Sequence, residues 1–311
     1  MKKRICLVLA AAGIVALMGA ALSGCRTESE VTETTWPVAE TFENIRLEVN
    51  ISDIQFTPSA DGSCSVLWSS DQRIAQSVRV EGDTLVIRET PGKDRFSLRG
   101  PGKTPKITVQ LPQPEYKDLT IDAETSHIDT TNYFTFRNVD IETSTGDIGC
   151  RCNVLGSVSA ESDTGKIILG ASQPTAVEVS SNTGSITLQS VVTSGDLEAS
   201  SDVGQIYLSY VKAASAQLDT NLGPVTLDNV RIDGHLDINT DTAPVELRDA
   251  DALTLEINTV TGDITGNLLT DKTFVAGSLG TVSVPDTTGG NCRLISDTGD
   301  IDIQIGEQTN E

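Results

Sequence analysis

Along most of this chain the apolar residues come as short alternating pairs, two pairs to a unit, with a polar turn between them. With Gly146, Gly165, Gly184, Gly204, Gly223, Ala243, Gly262, Gly280 and Gly299 as origins, successive units stand 18 to 20 residues apart. Two residues after each origin comes Ile148, Ile167, Ile186, Ile206, Val225, Val245, Ile264, Val282 and Ile301, without exception. Four after come Cys150, Leu169, Leu188, Leu208, Leu227, Leu247, Gly266, Val284 and Ile303. Five before come Ile141, Ala160, Val179, Ala199, Leu218, Ile238, Ile257, Val275 and Leu294, and seven before most units are apolar again, as at Val139, Val158 and Leu255. A period of two puts each pair on one face of a strand, so each unit predicts two short half-buried strands. The turns between them read TSTGD, SDTGK, SNTGS, SDVGQ and so on. Their Ser, Thr, Asn and Asp can bond their own backbone, and Gly can take positive φ.

A hairpin repeat has the same local pattern. A stacked coil explains more, because the same aliphatic type returns at the same station, and a sandwich has no reason to hold one period nine times. Two more units fit upstream, one with Leu119, Ile121 and Ile128 around Ser126, and one with Ile45, Leu47 and Ile54 around Ser52. The fold class expected is therefore all-β, a single-domain β-solenoid of about eleven coils spanning 41–305, and roughly 50 Å long at strand spacing. Residues 58–118 break the period. They hold a hairpin, Val78–Ile87, turning at Glu81-Gly82-Asp83, and a strand Lys106–Leu111 before Pro112. Such an insert predicts an N-terminal cap, since an uncovered end of the rod would pair with another chain. Residues 306–311 are a short tail.

The first residues read as an address. Lys2, Lys3 and Arg4 precede an uncharged apolar run from Ile5 to Leu22, followed by Ser23, Gly24 and Cys25. Leu22-Ser23-Gly24-Cys25 resembles a bacterial lipobox, which implies a signal peptide at 1–24 and a lipidated Cys25. Acyl chains there, palmitate included, imply anchoring to the cell membrane on its extracytoplasmic face. Residues 25–40 are rich in Thr and Glu and predict a flexible tether.

Taken in order, the Ile45–Phe56 coil, the Gly82–Ile87 hairpin, the Ile107–Pro112 strand and the serial Thr-Gly-Asp-Ile units resemble the bacterial "putative adhesin" domain family of unknown function. The resemblance covers about 40–305. It implies a cell-surface β-solenoid and carries over no catalytic residue. Ala243-Pro244, Gly223-Pro224, His127 and the cysteines depart from the pattern.

Composition narrows the function. The 311 residues carry a net charge of −22, which becomes −25 once Lys2, Lys3 and Arg4 are removed with the leader. A nucleic-acid partner is thereby excluded. The charge is uneven, −4 over 25–118 and −21 over 119–311. There are two His, His127 and His235, both in turns, and no nucleophile elbow, phosphate loop, dinucleotide fingerprint or zinc spacing. No catalytic residue and no cofactor is expected. Among the turn acids, Asp147, Asp163, Asp202, Asp263 and Asp300 are weak Ca²⁺ candidates, although neither a calcium nonapeptide repeat nor an EF-hand loop is present. Cys150 and Cys152 share a strand face; Cys292, far along the rod, is out of reach of Cys150; Cys64 has a link to either of the pair open to it. The pattern leads to a non-catalytic lipoprotein that presents an acidic face to cell-wall glycan or a surface protein. An envelope-stress or signalling accessory contacting a membrane protein is the alternative, with a polysaccharide-active enzyme behind both.

Overall fold

The computed structural model describes residues 32–70, 74–90 and 104–306, which form strands and no helix. Each coil contributes the strand before its origin to one sheet and the strand after it to a second sheet. Across the second sheet the +2 residues lie in a single file: Ile128, Ile148, Ile167, Ile186, Ile206, Val225, Val245, Ile264 and Ile301 are paired in parallel register. The first sheet stacks Ile121, Ile141, Ala160, Val179, Ala199, Leu218, Ile238, Ile257 and Leu294 in the same way. All these side chains are buried. The solenoid has about nine turns in unbroken register, fewer than the eleven counted in sequence. Of the other two units, that of Ile45 and Ile54 continues the stack beyond Ile128, and that of Val282 lies outermost at the C-terminal end, out of chain order.

The first nine strands build the N-terminal end. They are β1 (Thr32–Val38), β2 (Asn44–Val49), β3 (Asp53–Pro58), β4 (Cys64–Ser70), β5 (Ala75–Glu81), β6 (Thr84–Thr90), β7 (Lys106–Leu111), β8 (Glu115–Thr125) and β9 (Ile128–Thr130). The β2/β3 coil packs in parallel on β8/β9, Ile45 opposite Leu119 and Ile54 opposite Ile128. On its other side lie β6 and β7, also parallel. The capping insert thus supplies one more coil before the chain direction reverses. Then β5 runs antiparallel on β6, β4 on β7, and β1 on β4. The expected tether at 25–40 is accordingly shorter, because β1 is drawn into the cap by pairing with β4 from Thr32 to Val38. Few aromatics exist, and they gather here: Phe56, Trp68, Phe134 and Phe136 are fully buried, with Phe56 and Phe136 edge to face at 6.4 Å.

The C-terminal end is transposed. The strand Gly290–Ser296 pairs with Val245–Thr259, and Ile301–Ile305 with Ile264–Leu268. The intervening Lys272–Gly277 and Val282–Ser283 lie outside them as the terminal coil. The reason is apolar content. Leu294, Ile301 and Ile303 are buried, whereas Val275, Leu279 and Val282 are exposed. The coil with complete stations takes the covered place. Val275, expected inward, faces out because Ala276 is opposite Leu294, and a slip of one residue exchanges the two faces of a strand.

Glycine at the origins answers to stacking more than to dihedral angle. Among these glycines only Gly146 has a left-handed-side φ, +147°. A Cβ on Gly165 would fall 2.0 Å from the Gly146 carbonyl oxygen, and one on Gly204 1.8 Å from that of Gly184. The turns stack backbone on backbone. Beside them runs a ladder of buried hydroxyls. Ser181 Oγ accepts from the Gly184 N–H at 2.9 Å and donates to the Gly165 carbonyl of the preceding coil at 3.0 Å. Ser201, Thr220 and Ser296 repeat both bonds.

Candidate binding surfaces

The turn acids are spent on holding neighbouring coils together. Asp53 accepts the His127 N–H at 3.0 Å, Asp147 the Lys166 N–H at 3.0 Å, Asp263 the Asp300 N–H at 2.8 Å, and Asp300 the Thr281 N–H at 2.7 Å. One column alternates Asp163, Asn182, Asp202, Asn221 and Asp241, so that Asn182 Nδ2 donates to Asp163 at 3.0 Å and Asn221 Nδ2 to Asp202 at 3.3 Å. An amide after each carboxylate relieves the repulsion that a pure Asp column would carry. Asp147, Asp163, Asp202, Asp263 and Asp300 are thus distributed over separate coils, and among the described residues no three His, Cys, Asp or Glu side chains are grouped as a metal requires.

The outer face of the first sheet is different. Glu48, Asp122, Glu142 and Glu161 are direct neighbours in register on four successive strands, and Glu178 lies opposite Glu198 two columns away. Parallel strands stand about 4.8 Å apart, so these are like charges side by side. Arg88 relieves one of them, with Nε 2.6 Å from Glu48 Oε2. That bond, with Arg88 and Arg46 charges nearby, holds the Glu48 carboxyl below its ordinary range.

The outer face of the second sheet is close to neutral and carries a groove of about 370 Å³. Its floor is Gly170 and Ile168, and Asp129, Arg151, Asn132 and Gln189 stand around it. Arg151 and Asp129 form an ion pair across Gly149. Four residues at the second corner of the coil share an unusual backbone conformation. Ser190, Tyr210, Asn229 and Asp249, each six residues after its origin, have φ of 57°, 53°, 54° and 50°. Asn and Asp suit that conformation, but Ser and Tyr hide it from a reading by residue type.

The four cysteines described are free and buried. Cys150 and Cys152 face each other, Sγ to Sγ 3.7 Å, so the pair that shares a strand face is also the pair brought together. The Cys152 thiol and burial keep Cys150 protonated well above the usual range. The open link from Cys64 to this pair is closed off, because β7, β3 and β9 lie between β4 and the strand Ile148–Cys150. Burial pushes Cys64 up to about 11 and Cys292 to about 12. His127 and His235 are both exposed, the latter with Nδ1 2.9 Å from Thr254 Oγ1. Leu22, Ser23, Gly24 and Cys25 lie outside the described residues.

Two stacked parallel sheets, glycine-packed turns and a 19–20 residue coil define a β-solenoid domain. The Toastrack DUF4097 family matches at residues 42–201 and again at 175–310, and the chain belongs to that family. Comparison with curated proteins finds no match. Among solved structures, an adhesin-titled protein of Parabacteroides distasonis covers 88% of this chain and 98% of its own, at 12% identity and a TM-score of 0.49. A second protein from that organism, titled as lipid binding, covers 88% of this chain and 97% of its own at 13% identity and TM-score 0.48. An adhesin-titled protein of Bacteroides fragilis covers 90% of this chain and 100% of its own at 14% identity and TM-score 0.38.

Proposed function

We propose that this chain is a non-catalytic binding module of the cell envelope, lipid-anchored through Cys25 on the extracytoplasmic face of the membrane, which presents its acidic sheet to polar ligands such as cell-wall glycan or a basic segment of a surface protein. The observation that carries this reading is the column Glu48, Asp122, Glu142, Glu161. Like charges placed directly opposite one another weaken a sheet, so stability gives no reason to keep them in register. A ligand with donors or positive charge would be drawn to such a surface, and the attraction would fall as salt is raised. The even spread of the turn acids, most of them tied to a neighbouring coil, speaks against a hydrolytic pair of carboxylates there.

The test is capture of cell-wall fractions and envelope proteins by the full chain, wild type against the double variant Glu142→Lys, Glu161→Lys. Salt-sensitive capture lost in the variant supports the reading; equal capture by both proteins removes it. Anchoring is tested separately with labelled palmitate, which should be incorporated by the wild type and not by Cys25→Ala.

A further inference from the structure

The origin glycines of this solenoid have a packing reason; Gly170, five residues after an origin, has none. It sits inside the strand Ile167–Ser172, opposite Gln189. Its φ is outside the left-handed region, and the nearest atom to a Cβ built on it is Arg151 Cγ at 3.9 Å. A Cβ would fit there without displacing a neighbour. Glycine in a strand weakens it, and where neither a bulge nor a backbone contact demands it, the remaining use is room for a ligand to approach the sheet. Gly149 on the neighbouring strand differs, because a Cβ there would come 3.0 Å from Asp129 Oδ1 and crowd the Asp129–Arg151 pair. One glycine lets the ion pair form, and the other opens the floor beside it.

We infer that the groove over Gly170 is a binding site for a neutral sugar unit of a polymeric glycan. This rests on the reading of the chain as a surface binding module, and it concerns the sheet opposite the acidic one. The groove, at about 370 Å³, is in the size range of small-ligand sites. Its charge is internally cancelled, since the Arg151 guanidinium is engaged by Asp129. An anion would have to displace Asp129 and approach a chain of net charge −22. A free cation finds one carboxylate, already paired. An acyl chain finds a single aliphatic wall, Ile168. A pyranose ring meets all three features of the groove. Its C–H face can lie on Ile168 and the glycine backbone, while its hydroxyls both donate and accept toward Asp129, Arg151, Asn132 and Gln189.

The experiment is saturation-transfer NMR on the full chain in a sugar-free detergent, with chitotriose, cellotriose and maltotriose as probes. The wild type should bind at least one at millimolar concentration or below. Gly170→Leu should weaken that binding at least tenfold with an unchanged melting temperature, because the space it fills is open. Gln189→Ala, on an exposed side chain that cannot unfold the rod, should weaken it severalfold and serves if Gly170→Leu misfolds. Undiminished binding in both variants overturns the inference. So does failure of the wild type to bind any of the three at tens of millimolar. If cell-wall capture persists in that case, the groove alone is wrong; if capture is also absent, the binding-module reading falls with it.

Discussion

The Gly165 carbonyl oxygen lies 1.6 Å from the point where a Cβ on Gly184 would be. At the glycine origins successive turns therefore meet without room for a methyl group. Gly184→Ala should cost about 1–3 kcal/mol, since a rigid backbone atom has to move. Gly170→Ala, placed in open space, should be neutral or gain up to about 1 kcal/mol. Urea denaturation of the two variants decides it; equal midpoints would mean the turns do not govern stacking. Ala243 shows what a methyl in the column entails locally, as Thr240 Oγ1 there donates to its own Ala243 carbonyl at 2.7 Å.

Ser201 Oγ accepts the Gly204 N–H at 2.9 Å in a buried bond and donates to the half-buried Gly184 carbonyl at 3.1 Å. Ser201→Ala leaves a buried donor and a half-buried acceptor bare and should cost about 1–3 kcal/mol. Ser201→Thr should cost much less, because Thr220 and Thr259 make the same turn contact elsewhere. Thermal unfolding of both variants reads the difference.

Tyr210 holds a φ of 53° with its ring exposed. A non-glycine residue in that conformation is strained by about 1–2 kcal/mol, partly offset in glycine by unfolded-chain entropy. Tyr210→Gly should therefore raise stability by up to about 1 kcal/mol, and a lower melting temperature would show that the ring has a packing role.

Ile206 is fully buried between Ile186 and Val225, whereas Asp202 is exposed with one amide bond from Asn221. A carboxylate in the Ile206 position loses about 1.5–3 kcal/mol of apolar burial and adds the cost of an unpaired charge. Ile206→Asp should thus unfold or severely destabilise the rod, while Asp202→Ala should cost less than about 1 kcal/mol. Similar melting temperatures would contradict the stacking order.

Glu89 caps the first turn from within. Its Oε2 accepts the N–H groups of Asn50, Ile51 and Ser52 at 3.3, 3.4 and 3.2 Å, and its buried Oε1 has no partner among the described residues. Burial raises its pKa above the ordinary 4.5 despite those hydrogen bonds. The folded state therefore holds the proton more tightly than the unfolded one, and stability falls as pH climbs from 4.5 through the raised value. Below 4.5 the cost is absent, and above the raised value it is complete. Glu89→Gln, which keeps an acceptor and cannot ionise, should gain stability relative to wild type over that window. Denaturation at several pH values checks it, and a pH-independent difference between the two proteins would show that Glu89 does not titrate there.

The +2 file from Ile128 to Ile264 was legible in the sequence because stacking like on like needs the same residue at a fixed interval, and the interval survives in the text. The cap was legible as a break in that interval, although its parallel coil, β6 and β7, was not. Each of those strands lies apart from the turn that would have marked a unit. The groove left a trace only as Gly170, one glycine among many until its open surroundings distinguished it from the packed ones.

The sequence alone settled that this chain winds as a solenoid and which side chains of its regular coils face inward, since periodicity is a property of the chain itself. The tertiary structure decided which coil covers which. Chain order placed Val282 between Ile264 and Ile301, but packing put Ile301 against Ile264 and left Val282 outermost. A local pattern fixes what a strand can bury, and competition among strands for one open edge fixes which of them is buried.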